Sequence, residues 1–221
     1  MANLLSVLDS LLHIPEDEIL PAGTDLTPYY RPWGFTIYRT AYGPSSGRHW
    51  QALLDDIRAD VVEQVTGPDG TRQADPVAQQ VLSLFRLDIR SDAETLDGLD
   101  MEHIRRIYKD EIGGQPMNAN HRERRYFLLV DEGVIEEHRA KAKTPAYKPW
   151  IKCVEVDYVA SDYVPRNARL GGQRYFGWMK MTTTSVPQLW SMLGLKWLSE
   201  ITPATTVGAE MEVWDEQGDF F

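Results

Sequence analysis

Two carboxylates, Glu155 and Asp157, stand two residues apart in the alternating segment 150–159, WIKCVEVDYV. On a strand this spacing puts both on one side, about 7 Å apart, with Cys153 next in the row. A carboxylate pair facing a cavity can grip a guanidinium bidentately, orient an amine, or divide acid and base roles. On an open sheet face the same pair is merely solvated, and both readings stand. Cys153 is the single cysteine. As a nucleophile it would need a base or cation beside it, and inert packing is the expected role. Its solitude excludes a disulfide framework and a cysteine zinc site. The five histidines fall in no metal-ligand spacing, so no metal and no cofactor is expected.

Other chemistry-bearing side chains lie inside apolar strands. Arg39 shares a row with Phe35 and Ile37 in GFTIYRTAY (34–42). A buried arginine must be paired or bind an anion, and Glu155 or Asp157 is the expected structural partner. Tyr38 and Tyr42 line the opposite row with Thr36 and Thr40. Lys180 sits between Met179 and Met181, and Trp178, Lys180, Thr182 and Thr184 share a side that would give a polar cavity an aromatic wall. Glu155, Asp157, Tyr38 and Lys180 are therefore the catalytic candidates. Arg39, Trp178 and Tyr42 are the substrate-binding ones. Arg124 and Arg125 join them from 121–127, HRERRYF, which with 143–152, KTPAYKPWIK, interleaves cations and aromatics as RNA-binding surfaces do. Ser45 and His49 are one helical turn apart, but helix capping accounts for the serine and no acidic orienter is evident.

These residues need a scaffold, and the hydrophobic pattern outlines it. Leu4 to Leu12 recur at helical spacing, predicting an N-terminal amphipathic helix over 1–14 packed on the body or on a second subunit. Four prolines make 15–33 an extended arm, and 34–216 forms the body. Strands are expected at 34–42, 125–131, 150–159, 178–186 and 209–216. Trp50, Leu53, Leu54, Ile57, Val61 and Val65 mark a helix after the GPSSG turn, with Ser45 or Ser46 as its cap. Asp100 caps another, Glu132–Arg139 forms a short one, and Pro187 opens a last one. The stretch from Val81 to Ile89 fits either period, and 66–76 is a loop. No glycine-rich phosphate loop follows the first strand, which argues against a parallel Rossmann sheet. The pattern predicts one α+β domain over 1–221, a largely antiparallel sheet with helices packed on one face, ferredoxin-like or a related sandwich.

Length and composition bound the function. A chain of 221 residues with 43% hydrophobic and 25% charged residues can bury a core without staples. The N-terminal segment lacks a basic region and a cleavage site, so no signal peptide, no membrane partner and a cytoplasmic location are expected. The formal net charge is −10. Residues 103–152 run against it, with eleven basic and seven acidic side chains. That basic middle could hold an anion, or Arg105, Arg106 and Lys109 are the solvated face of a helix.

The blocks PWGFTIYRTAYG, YFLLVDEGVI, PWIKCVEVDY and FGWMKMTTTSVPQLWSML resemble a widespread family of small fungal proteins across roughly residues 30–200. The W-G-F-x-I-Y-R-T-x-Y block is the most distinctive. Among such fungal families the chain resembles the arginine-containing cyclodipeptide synthases of natural-product pathways. That resemblance implies an enzyme that joins two amino acids delivered as aminoacyl-tRNAs. It supplies no catalytic motif. Glu155 and Asp157 would then hold the arginyl side chain, and the basic middle the tRNA acceptor end. Against this stand the acidic charge and the missing Rossmann pattern, the fold of the bacterial enzymes with this activity. The alternatives are a cofactor-free cyclase or isomerase acting on a small-molecule substrate, and a non-enzymatic interaction protein forming a homodimer.

Overall fold

The computed structural model describes residues 4–120, 125–165, 172–203 and 211–216. Its centre is β1 (Trp33–Arg39), whose residues through Tyr38 are all buried. Trp33, Phe35 and Ile37 point to one face of the sheet, Thr36 and Tyr38 to the other. A strand apolar on both sides needs cover on both sides. On the first face α2 (Ser46–Thr66) supplies it with Trp50, Leu53, Leu54, Ile57, Val61 and Val65, the stripe expected from the sequence. Each such burial contributes about 1.5–3 kcal/mol relative to exposure. α1 (Leu4–Leu11) extends this layer by packing on α3 (Pro76–Leu84).

The ambiguous stretch after Val81 resolves into both periods in turn: α3 ends and β2 (Phe85–Arg90) begins at once. β2 pairs parallel with β1 along six residues. The chain then crosses to the second face through α4 (Ala93–Leu96) and α5 (Met101–Lys109), and returns as β3 (Tyr126–Val130) on the other side of β1, again parallel. Asp75, Asp92 and Asp100 cap these three helices, each accepting a backbone N–H. Ile104 and Tyr108 of α5 close a second core over Tyr38, Phe127, Leu129, Val154 and Val156. α6 (Glu132–Lys141) follows, then β4 (Trp150–Glu155), α7 (Ala160–Tyr163), β5 (Trp178–Thr182), α8 (Val186–Leu193), α9 (Leu198–Ile201) and β6 (Val213–Trp214).

The α+β expectation holds, with two corrections. The six strands lie in the order β2-β1-β3-β4-β5-β6. Only β3–β4 and β4–β5 are antiparallel, so the sheet is mixed rather than largely antiparallel. β5–β6 is parallel, so β4 alone runs against the other described strands. Helices also cover both faces, because Phe127, Leu129, Val154 and Val156 give the second face a core of its own. The result is not ferredoxin-like. Its β2-β1-β3 part is doubly wound, without the glycine-rich loop that usually signals such a unit.

Capping differs too. Ser45 precedes α2 in a left-handed conformation and makes no side-chain cap. Ser46 instead donates its hydroxyl to Gly43 O and accepts from Arg39 Nη2 at 2.8 Å. Among the described residues no helix is long and apolar enough to cross a membrane.

Gly34 belongs to the most distinctive sequence block and has φ +127°, and a Cβ there would run into the Arg86 carbonyl of β2. Gly98 also has positive φ, but a Cβ on it would meet nothing within 4 Å. Gly34→Ala is expected to lose at least about 3 kcal/mol, through left-handed strain plus backbone collision, and Gly98→Ala only about 1 kcal/mol. Urea unfolding of the two variants measures the difference.

Candidate functional site

Because β1, β2, β3, β5 and β6 run one way, their carboxyl ends share one edge of the sheet, joined by the amino end of β4. In doubly wound sheets ligands bind outside such an edge, where the chain turns from one face to the other. β1 and β3 form that switch point here. Farther along the same edge, at the ends of β4, β5 and β6, lies an open cleft of about 430 Å³. α6 supplies Glu137 and Lys141, the segment before β4 supplies Tyr147 and Lys148, and Trp150, Thr182 and Asp215 come from the strand ends.

Charges in the cleft are arranged in pairs. Lys141 donates to Glu137 at 2.8 Å, one helical turn apart. Burial works against ionisation of Glu137, but Lys141, the Trp150 indole and Lys180 outweigh it and hold this acid below its ordinary range. Lys148 pairs with Asp215, which also accepts from Thr182 Oγ1 at 3.0 Å. These are partly exposed pairs, each weak enough to exchange for a ligand.

Above Trp150 lies the most unusual contact of the sheet. Lys152 and Lys180 are directly opposed across β4 and β5, an arrangement that costs energy. The two side chains lean apart. Lys152 Nζ lies 4.8 Å from the Trp178 ring centroid and Lys180 Nζ 4.5 Å from that of Trp150, each over the negative face of an indole. Lys152 also pairs with Asp131, whose other oxygen caps α6 by accepting from Val134 N. Lys180 forms no ion pair among the described residues and is held over the Trp150 ring.

The other sequence candidates are dispersed. Tyr38 lies in the same cross-strand row as Leu129, Lys152 and Lys180. It is buried against Phe127, with ring centroids 5.3 Å apart. Burial pushes its hydroxyl up to about 12, which removes it from proton transfer near neutral pH. Arg39 does not meet Glu155 or Asp157, because it ends β1 while they lie at the opposite end of the sheet. It donates to Ala41 O and Ser46 Oγ and stacks 4.4 Å from the Tyr42 ring.

Glu155 and Asp157 do not work as a pair. Tyr175 donates to Glu155 at 2.7 Å, and burial raises that carboxyl. Asp157 takes both arms of Arg125 and lies 3.5 Å from Lys109. Its carboxyl is held low: burial opposes this, but the Arg125 guanidinium and Lys109 prevail. Arg125 is thus occupied by an ion pair, and Arg124 lies outside the described residues. Cys153 is fully buried and its thiol is pushed up by that burial, as inert packing requires.

Arg105 is not on a solvated helix face. It is 4% exposed and donates to the carbonyls of Glu155 and Gly177 at 2.8 and 3.0 Å, with Glu102 as its ion partner and Tyr158 beneath the guanidinium. Nothing in the 3.6-residue period separates it from Arg106. Glu137, Tyr147 and Asp215 were equally hidden, since only the fold brings 137, 147 and 215 together. The signal that existed was the interleaving of basic and aromatic residues in 143–152.

Among the described residues no group of three or more His, Cys, Asp or Glu is placed to hold a metal ion. Comparison of the chain with protein-family models, with curated proteins and with solved structures finds no match in any of the three.

Two stability predictions follow from these geometries. Arg105→Leu takes the Arg105 donor from the Glu155 carbonyl and a second donor from the Gly177 carbonyl, which keeps the Glu155 amide, and is expected to cost about 1–3 kcal/mol in urea unfolding. Asp157→Asn removes a partly exposed pair and is expected to cost under about 1 kcal/mol at neutral pH. Because the folded-state pKa of Asp157 is lowered, its contribution is present above the ordinary aspartate range and lost as pH falls through the folded value. The stability of wild type and variant, measured across that acid range, should therefore converge.

Proposed function

We propose that this chain is a cytoplasmic biosynthetic enzyme that forms a cyclic dipeptide containing arginine from aminoacyl-tRNAs. The observation that carries the reading is the cleft at the carboxyl edge of the sheet, lined by Lys141, Lys148, Glu137, Asp215 and Trp150, with Lys180 over the Trp150 ring. The doubly wound β2-β1-β3 unit supports it as well, since the absence of a Rossmann-like arrangement was one objection from sequence. At this edge Lys141, Lys148 and Lys152 are matched by Glu137, Asp215 and Asp131, and Lys180 adds one positive charge.

The chemistry asks little more of the protein. An aminoacyl ester is already activated, so holding the two amino acids in contact and managing the amine proton are the main tasks. Lys141 and Lys148, both exposed, suit the phosphates of an acceptor end. Glu137 and Asp215, in exchangeable pairs, are better disposed to receive a guanidinium than Glu155 and Asp157, whose partners hold them at the far end of the sheet. Lys180, free of ion pairs among the described residues, suits the ester carbonyl or the nearest phosphate. A cofactor-free cyclase would call for an enclosed apolar pocket, and this cleft is open and charged.

The test is a coupled reaction containing the protein, total tRNA, aminoacyl-tRNA synthetases, ATP and all twenty amino acids, read by mass spectrometry. The expected product has the mass of a cyclic dipeptide of arginine and disappears on RNase treatment. Lys180→Met should lower its yield by at least about tenfold with little change in melting temperature. No product from fully charged tRNA would overturn the reading.

A further inference from the structure

Behind the cleft wall, α6 meets α2 through two imidazoles. The rings of His49 on α2 and His138 on α6 lie edge to face, with centroids 5.3 Å apart. His138 is 5% exposed, and its Nδ1 has no hydrogen-bond partner among the described residues. The Tyr147 ring closes the other side at 5.8 Å, and its buried hydroxyl also lacks a partner among them. A helix junction with a neutral, unsatisfied imidazole at its centre tolerates a proton poorly.

The charges facing His138 give that proton little help. From α2 come His49, a second potential cation, and Asp56, the one acid that favours it. The segment before β4 contributes only the uncharged Tyr147. On α6 itself Glu137 is engaged by Lys141, and Glu132 by Arg139. Asp60, one turn beyond Asp56, is directed to Thr183.

We propose that the His49–His138 junction is a pH-sensitive latch: protonation of His138 loosens α6 from α2 and so shifts the cleft wall that carries Glu137 and Lys141. The latch goes beyond the reading of the cleft and holds whatever the cleft binds. Burial holds His138 below the ordinary histidine range, with His49 adding to the effect and Asp56 opposing it. The folded form therefore binds fewer protons than the unfolded one, and the junction loses stability as pH falls through the ordinary histidine range. Asp60 acts in the reverse sense, because burial pushes it up to about 6 and its protonation stabilises the fold in acid. Whole-protein stability mixes the two, so the latch must be read locally.

Hydrogen exchange followed by mass spectrometry does this on peptides covering residues 132–150, at about pH 7.5 and about pH 5.5, after correction for intrinsic exchange rates. In the wild type, protection of these peptides should fall at least about fivefold at the lower pH, relative to β1 and the far half of α2. His138→Gln should abolish the difference, and His49→Gln, which removes the neighbouring imidazole, should reduce it. Should His138→Gln not fold, the wild type and His49→Gln decide between them. Equal wild-type protection at both pH values, or a response that His49→Gln leaves unchanged, overturns the latch.

Discussion

Burying β1 on both faces removes water from every side chain between Trp33 and Tyr38, and this demand organises the neighbouring elements. Each backbone amide and carbonyl of the strand must then find a partner in the sheet, so β1 cannot be an edge. Parallel neighbours on either side satisfy it, and parallel neighbours require crossovers that themselves bury apolar helix faces. Even the polar member of the strand is accounted for. Thr36 donates to Asp88 and accepts from Met117 N, which ties β2 and the segment after α5 to the centre of the molecule.

Charged groups follow from the same packing. Arg105 can be buried because two carbonyls at the β4–β5 edge, those of Glu155 and Gly177, can each accept from it, and a guanidinium carries enough donors to take both and still meet Glu102. Lys152 and Lys180 tolerate their opposition because tryptophans stand diagonally on the facing strands.

Where the sequence was read correctly, a single local period decided the matter. The α2 stripe, the caps at Asp100 and Pro187, and the strands at 126–130, 150–155 and 178–182 all declare themselves within one element. Strand direction is a different kind of fact. The hydrophobic pattern of β1 is the same for a parallel or an antiparallel neighbour, and β2, mixed with the end of α3, was hidden as a partner. Glu155 and Asp157 show the same limit at the site. Their spacing was read correctly, but Tyr175 and Arg125, which occupy them, come from positions 20 and 32 residues away. The lysine and tryptophan residues of β4 and β5 were visible individually, while their diagonal stacking needed the register.

The single reversed strand has a consequence for how the molecule comes into being. The three strands of the doubly wound part are complete once Val130 has been made, and they carry β1 with both its parallel neighbours. The cleft, by contrast, takes residues from Glu137 to Asp215 and is closed by β6, a strand of two residues far along the chain from Val130. A nascent chain on the ribosome therefore possesses the strands of that part long before it possesses a cleft. Interaction with a ligand at that edge is deferred until the chain has been made as far as Asp215, which keeps binding separate from the early steps of folding.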